Sequence, residues 1–309
     1  MAMAQTFAHY AAPTHARPAA ALAVIALTAV NCAGIGKTAR VTRWIVACVL
    51  ATLAVIVFAV LHGGDVDTAR WVPTEIDAHA VLQSAGLWFF AFAGFARLAT
   101  LGEEVVDPVR TLPRAIPLAL GLTLLVYAAV ALAVLAVVDA GTLAMTSAPL
   151  VATIDAAGWP NVAPAVRTGA AVASLGVLLS LLAGISRTMF AMAANDDLPR
   201  PLAAVHPRRH VPQRAELLAG GAVALAVLVV DVRDAIGFSA FTVLVYYAIA
   251  NAAALTLAPG QRHWPRTIAT GGLAGCVALA LALPARSVVC GIAVLAAGWV
   301  VWRLVAARR

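Results

Sequence analysis

Charged side chains are scarce in this chain. Asp, Glu, Lys and Arg make up 11% of the 309 residues, whereas hydrophobic residues make up 63% and the mean hydropathy is +0.94. Soluble domains carry about 25% charged and about 45–50% apolar residues. The shortage of charge therefore excludes an ordinary soluble domain and predicts an integral membrane protein.

Lysine is almost absent, since Lys37 is the only one, and the excess of 21 basic over 14 acidic residues comes from arginine. In a soluble protein such an excess would suggest a nucleic-acid partner. In a membrane protein, the enrichment of basic residues in cytoplasmic loops explains it more simply. We therefore expect the lipid bilayer, and no nucleic acid, as a partner.

Patterns typical of catalysis and metal binding are missing as well. The four cysteines lie inside or at the edges of apolar runs without metal-ligand spacing, so small apolar packing residues explain them better than a disulfide framework. We find no Ser/His/Asp set, no carboxylate pair in a pocket and no phosphate-binding loop. The sequence thus predicts a protein that is not an enzyme and that holds neither a metal nor a cofactor.

Long apolar runs are what the sequence has instead. About 20 apolar residues let a helix cross the hydrocarbon core, and the first 17 residues lack the basic start and cleavage pattern of a signal peptide. We predict an all-α integral membrane protein with an external segment at 1–17 and a single helical bundle at 18–309. About nine transmembrane helices are expected, at 18–36, 41–61, 81–101, 115–138, 166–190, 215–231, 235–257, 267–283 and 287–305. Polar or Pro/Gly-marked loops separate them, "GEEVVDPVRTLPR" among them.

The positions of arginine and lysine predict the orientation. With the amino terminus outside and the carboxyl terminus in the cytoplasm, basic residues are about three times as frequent in cytoplasmic as in external loops. An external amino terminus followed by an odd number of spans is an unusual plan. Three further spans in front would place both ends in the cytoplasm.

The stretch "LWFFAFAGFARLATLGEE", from Leu87 to Glu104, is weakened in the middle of an apolar run. Broken helices survive in a bilayer only where protein or a water-filled cavity surrounds the break. Many secondary transporters bind substrate at such breaks, near the midplane. Gly94 fits that device, because it lets the backbone open and leaves room for a ligand. The alternative is a glycine that lets two helices pack closely.

Three blocks carry a resemblance to a known family. They are "FFAFAGFARLATLGEEVVDPVRTLPRAIPLAL", "SRTMFAMAANDDLPRPLAAVHPRRHVP" and "NCAGIGKTARVTRWIVACVLATLAVIV". The first block resembles the sixth-helix region of the amino acid–polyamine–organocation (APC) permease superfamily, the second the end of its eighth helix, and the third the junction of its fourth and fifth helices. Along the chain the three blocks follow one another in the order and at the spacing of that family.

The resemblance covers nearly the whole chain from about residue 19, and it implies a fold of two inverted five-helix repeats. The predicted nine helices then correspond to helices four to twelve, which implies that this sequence lacks the first three. A start placed too late in the gene and a genuinely short homologue are the two explanations, of which the first is favoured.

The resemblance also implies roles at the break. Phe92, Ala93, Gly94 and Phe95 would form the unwound segment whose backbone meets the substrate's amino and carboxylate groups. Phe90 matches an aromatic that covers the bound amino acid, although packing explains it as well. Many members carry an acid where this chain has Ala96, which puts cation selection and acid-linked gating in doubt.

Charged residues after the break suggest an inner gate. Arg97 is costly inside a bilayer, and snorkelling or pairing with Glu103 or Glu104 explains it better than contact with substrate. The two glutamates have loop arginines such as Arg110 as candidate partners, and the alternative is that they are merely solvated.

Coupling residues are weakly indicated. The family's fifth helix often carries a lysine linked to protons, but no ionisable residue lies at 44–61. Ser174 and Ser180 are candidates for a sodium site, though such serines are common at helix contacts. Tyr247 and Asn251 share a helix face, either at the pocket edge or in a helix–helix hydrogen bond.

These observations favour a secondary carrier that moves amino acids or related organic cations across the cytoplasmic membrane by alternating access, with H+ or Na+ as coupling ion. The rival hypothesis is a non-transporting permease homologue that acts as a partner or sensor subunit. The sequence leaves open the amino acid, the coupling ion, uptake versus exchange, and the oligomeric state.

Overall fold

The computed structural model describes residues 1–34, 39–72, 76–95, 105, 107–262 and 264–306. Every regular element among them is helical, as predicted. Twelve α-helices are present in the described part of the chain: α1 Ala2–Ala11, α2 Ala16–Cys32, α3 Ala39–Gly63, α4 Ala78–Trp88, α5 Pro108–Val137, α6 Ala140–Met145, α7 Pro149–Ala156, α8 Ala163–Ala194, α9 Gln213–Val229, α10 Val232–Thr256, α11 Arg266–Ala282 and α12 Ala285–Ala306.

Helix ends follow local sequence signals. Asp77 caps α4 by accepting hydrogen bonds from the amides of His79 and Ala80, at 3.0 and 3.3 Å. Asp139 caps α6 in the same way, and its hydrogen bonds from Thr142 hold the pKa of the Asp139 carboxyl below its usual value. At the other end of a helix, Gly34 follows α2 with φ of +74°, a left-handed conformation that favours glycine.

The chain divides into two compact units. The first comprises Met1–Val72 and Ala128–Val232 and therefore holds α1–α3, the end of α5 and α6–α9. One of its apolar clusters joins α3, α7 and the start of α8 around Ile56, Ile154 and Val166. A second joins α1, α2, α8 and α9 around Val24 and Leu178. These buried stripes hold the helices of this unit together.

The second unit comprises Pro73–Tyr127 and Arg233–Arg309. Its apolar cluster contains Phe241 and Leu244 of α10 with Cys276 and Leu283 of the α11 region. The α4 helix packs closely here, because a Cβ on Gly86 would lie 3.1 Å from the carbonyl oxygen of Leu279. Gln83 of α4 donates a hydrogen bond of 3.2 Å to the carbonyl of Ala282, the last residue of α11.

The structure confirms an all-α membrane fold but not a count of nine spans. Five described helical segments are long and apolar enough to cross a membrane: Pro13–Cys32, Arg43–Gly63, Pro108–Val137, Pro160–Ala194 and Val232–Thr256. A sixth arises if α11 and the following helix, bent by 114°, count as one span. Helix α9 has only 17 residues, and α4 leaves the α conformation at Trp88, so neither reaches the length of a full span.

Two predicted features need restating. The stretch "GEEVVDPVRTLPR" is not a loop throughout, because α5 begins at Pro108, where the fixed φ of proline suits the first helical position. Segment 1–17 is part of the first unit and packs within it, since Ala4 and Ala8 are buried and the Tyr10 hydroxyl accepts a hydrogen bond of 3.3 Å from the Leu150 amide. Its location on the external side stays a prediction.

Candidate functional site

The helix type changes within the segment where a break is predicted. The α conformation of α4 ends at Trp88, and Phe89–Phe95 continues as a 3-10 helix. A 3-10 stretch of seven residues is unusually long and often marks a functional hinge. Bulky aromatics and a glycine make this segment a poor α-helix former. The chain is therefore no longer α-helical at Gly94.

Tyr127 of α5 contacts the 3-10 segment in two ways. Its hydroxyl donates a hydrogen bond of 3.2 Å to the carbonyl of Ala91, and its ring meets Phe92 edge-on with centroids 5.4 Å apart. A carbonyl in a broken helix needs such a partner inside a bilayer. Tyr127 is not among the predicted site residues, although its polar hydroxyl inside the apolar run "LTLLVYAAV" is a sequence signal for such a role.

Open space surrounds Gly94. A Cβ placed on this residue would meet no atom within 4 Å among the described residues, and the residue itself is exposed. The observation argues against the alternative of a glycine that lets two helices pack, at least for the described part of the chain. The position leaves room for a ligand against bare backbone.

Aromatic rings line one side of the segment. Phe89 meets Tyr247 of α10 edge-on at 5.5 Å, and both Phe89 and Phe90 pack against the apolar cluster around Phe241. Phe90 is thus partly buried by neighbours, as the packing alternative expects, and its role over a substrate stays a prediction. Ala93 lies half-buried within the same 3-10 turn.

Asn251 lies at a helix contact. Its Nδ2 donates a hydrogen bond of 2.9 Å to the carbonyl of Tyr247, one turn earlier in α10. A Cβ on Gly272 of α11 would lie 2.6 Å from the Asn251 Oδ1, so the two helices touch there. The position of Asn251 favours a helix–helix contact over the pocket edge. Tyr247, in contrast, contacts the ring of Phe89 in the 3-10 segment.

Among the four predicted gate residues, Arg110 lies in the described part of the chain. Arg110 makes an ion pair of 3.7 Å with Asp107, three residues earlier, and both side chains are more than half exposed. Such a pair contributes little to stability. The other gate candidates, Arg97, Glu103 and Glu104, lie outside the described residues, as does Ala96.

The two candidate ion-site serines point to different sides of α8. Residues six apart differ by about 240° around a helix. Ser174 is buried and donates to the Ala170 carbonyl at 2.8 Å, whereas Ser180 donates to the Gly176 carbonyl at 3.1 Å. Within the described ranges no three His, Cys, Asp or Glu side chains are grouped to hold a metal ion. The sodium role of both serines stays a prediction.

Comparison with known families completes the description of the site. The model of the family described as amino acid permease matches residues 1–296. The chain belongs to the amino acid permease family. This agrees with the APC resemblance and with an apolar, multi-pass membrane protein that is a transporter by family.

Relatives of this permease carry several names. A protein of Mycobacterium tuberculosis named as an uncharacterized transporter is 56% identical over 299 residues, which cover 96% of the permease and 68% of that relative. A branched-chain amino acid permease of Bacillus subtilis is 27% identical over 91% of the chain and 60% of its own length. A methylthioribose transporter of the same species is 30% identical, over 65% and 43% respectively.

The cap at Asp77 can be tested through the stability of the first turn of α4, the helix that leads into the 3-10 segment. Replacing Asp77 by alanine should cost about 1 kcal/mol of local helix stability, because two amides of the first turn lose their acceptor. Amide hydrogen exchange at 79–82 should then accelerate about fivefold, measured by mass spectrometry in nanodiscs. Asp77→Ser is the matched control, since its hydroxyl still caps, and equal exchange in both variants would contradict the assignment.

Proposed function

We propose that this permease is a secondary active transporter that moves amino acids across the cytoplasmic membrane by alternating access, with substrate bound at the Phe89–Phe95 segment. One observation carries the proposal: an α-helix turns into a 3-10 helix, and no atom of the described residues lies within 4 Å of a Cβ placed on its glycine. Broken helices in other carriers offer backbone groups to a substrate's amino and carboxylate groups at such points.

The surroundings of Gly94 favour neutral, apolar substrates. The described side chains nearest the segment are aromatic: Phe90 and Phe92 belong to it, while Tyr127 and Tyr247 contact it. Ala96 stands where many family members carry an acid, so a cationic side chain would find no countercharge from that position. An apolar wall instead gains free energy when it covers an aliphatic side chain. A branched-chain amino acid therefore fits this site better than arginine.

The named relatives define the substrates to compare. One is called a branched-chain amino acid permease and one a methylthioribose transporter. A further relative, of Arabidopsis thaliana and 24% identical over 246 residues, is called a cationic amino acid transporter. The purified chain should be reconstituted in liposomes and offered labelled leucine with unlabelled leucine, arginine or methylthioribose as competitors. We expect leucine to compete at least about tenfold better than arginine, a difference of about 1.4 kcal/mol. Preferred inhibition by arginine or methylthioribose would overturn the substrate proposal.

Failure of uptake has a meaning of its own. Liposomes that hold the folded chain but take up no more leucine, arginine or methylthioribose than empty liposomes would favour the rival function, a partner or sensor subunit without transport. A folded state would be checked by a monodisperse elution profile and by helical circular dichroism. Uptake above that background would exclude the rival.

Remaining assignments belong to the same proposal. Arg110 would exchange its local partner Asp107 for Glu103 or Glu104 when the inner side closes. Arg97 would snorkel to the same side. The amino terminus of this chain would lie outside and the carboxyl terminus in the cytoplasm, as the arginine distribution predicts.

A further inference from the structure

A carboxylate is buried in the first unit, away from the 3-10 segment. Glu216 belongs to the first turn of α9 and is only 3% exposed. Ser186 of α8, 1% exposed, lies with its Oγ 2.8 Å from the Glu216 Oε1. The second carboxyl oxygen, Oε2, is buried and has no hydrogen-bond partner among the described residues. A buried carboxylate oxygen without a partner is unfavourable when the group is charged.

Neighbouring charges compensate Glu216 only in part. The positive end of the α9 dipole favours a negative charge in the first turn. The Arg209 guanidinium donates a hydrogen bond of 3.2 Å to the Cys32 carbonyl. No described Arg or His nitrogen makes an ion pair with Glu216 within 4 Å. Three nearby arginines, Arg187 of α8, Arg200 in the preceding loop and Arg214 of α9, are exposed.

The Ser186 hydroxyl serves two acceptors with one proton. Its Oγ lies 2.8 Å from Glu216 Oε1 and also 3.0 Å from the carbonyl oxygen of Ala183. A hydroxyl donates once and accepts up to twice. With Glu216 ionised, Ser186 donates to the carboxylate. With Glu216 protonated on Oε1, the acid donates to Ser186 Oγ, which in turn donates to the Ala183 carbonyl. Both protonation states are therefore hydrogen-bonded by the same three groups without a change of side-chain positions.

We infer that Glu216 is a proton-binding site of this permease, in which Ser186 reverses its donor direction when the proton arrives or leaves. The inference extends the proposed function, because a buried acid exchanges its proton only when the protein opens a path to water, and alternating access supplies such openings. A proton entering from water binds Glu216 Oε1, and the same proton leaves to water on the other side. The site fills a role that the absence of a lysine at 44–61 leaves open in the sequence.

Infrared spectroscopy tests the proton site without any transport. The chain has four glutamates, Glu75, Glu103, Glu104 and Glu216, so labelling with 13C-glutamate separates their carbonyl bands from those of aspartate. On acidification, the labelled protein in nanodiscs should gain a carboxylic acid band that is lost in Glu216→Gln and kept in Glu75→Gln. Identical difference spectra for the wild type and Glu216→Gln would overturn the inference.

The role of Ser186 has its own readout. In Ser186→Ala the Glu216 acid loses its acceptor, so its band should move to higher frequency, whereas Ser186→Thr keeps the hydroxyl and the original frequency. An unchanged band in Ser186→Ala would refute the donor reversal.

Transport provides the last arm of the test. An inward proton gradient should stimulate leucine uptake by the wild type, a sodium gradient should not replace it, and the stimulation should be lost in Glu216→Gln. Stimulation that survives in Glu216→Gln would overturn the coupling role. If the wild type takes up no amino acid, the proposed function fails, while the infrared band still decides whether Glu216 binds a proton.

Discussion

Leucine uptake by the permease should fall at least about tenfold when Gly94 is replaced by leucine, which corresponds to about 1.4 kcal/mol of lost binding free energy. The new side chain would occupy the open space beside the described 3-10 segment and cover the backbone that we propose meets the substrate. Leucine also favours the α-helix over glycine by about 1 kcal/mol, so it opposes the change to a 3-10 helix. Gly94→Ala, with a single added carbon, should show an intermediate loss.

Gly121 supplies the matched control. It lies in the same unit as Gly94, within the regular helix α5, and a Cβ there would likewise meet no described atom within 4 Å. Gly121→Leu therefore adds the same side chain in an equally open place and should leave uptake near the wild-type rate. Equal uptake by Gly94→Leu and the wild type would refute the binding site at Gly94. Equal losses in both variants would show a general effect of added bulk instead.

Much of the fold could be predicted because its signals are local. Each of the nine predicted apolar runs contains a helix, since runs of this length have few other ways to satisfy their backbone in lipid. The change from α-helix to 3-10 helix at Phe89–Phe95 has a local signal as well, a glycine among large aromatics. Asp77 and Asp139 follow the usual preference for aspartate before a helix.

Features that depend on partners distant in the chain could not be predicted. The bend of 114° after Ala282 is accompanied by Gln83, which donates to the last carbonyl of α11 from a helix 199 residues earlier. The hydroxyl of Tyr127 supports a carbonyl 36 residues away. In the sequence, Glu216 stands at the end of a polar loop and would be expected in water. Only the packing of α8 against α9 buries it beside Ser186. Periodicity contains no information on such pairs.

Two adjacent glycines in α9, which are indistinguishable in sequence, differ in the space around them. Gly220 is buried, and a Cβ there would meet the Oγ1 and Cγ2 of Thr28 and lie 2.9 Å from its Cβ. Gly221 faces open space, with no described atom within 4 Å of a Cβ. Thr28 cannot easily turn away, because it is β-branched, 5% exposed and donates to the Val24 carbonyl at 2.7 Å. Helices α2 and α9 thus approach closely at a small residue, as membrane helices commonly do.

Gly220→Ala should therefore destabilise the permease by about 1–3 kcal/mol, the usual cost of overpacking a well-packed contact. Gly221→Ala should instead be neutral or stabilise by about 0.5–1 kcal/mol, because alanine is the better helix former. Thermal unfolding in one detergent, followed by circular dichroism, would compare the apparent Tm of both variants with the wild type.

A third variant locates the cause of that loss. Thr28→Ala in the Gly220→Ala background removes the Oγ1 and Cγ2 atoms that the new Cβ meets, so part of the lost stability should return. The Cβ of residue 28 remains, which limits the rescue. Equal Tm values for Gly220→Ala and Gly221→Ala, or a rescue of neither, would contradict the close approach of α2 and α9. Because Cys32 and Glu216 lie one turn beyond Thr28 and Gly220 on the same antiparallel pair, the same loss should also disturb the infrared band of the Glu216 acid.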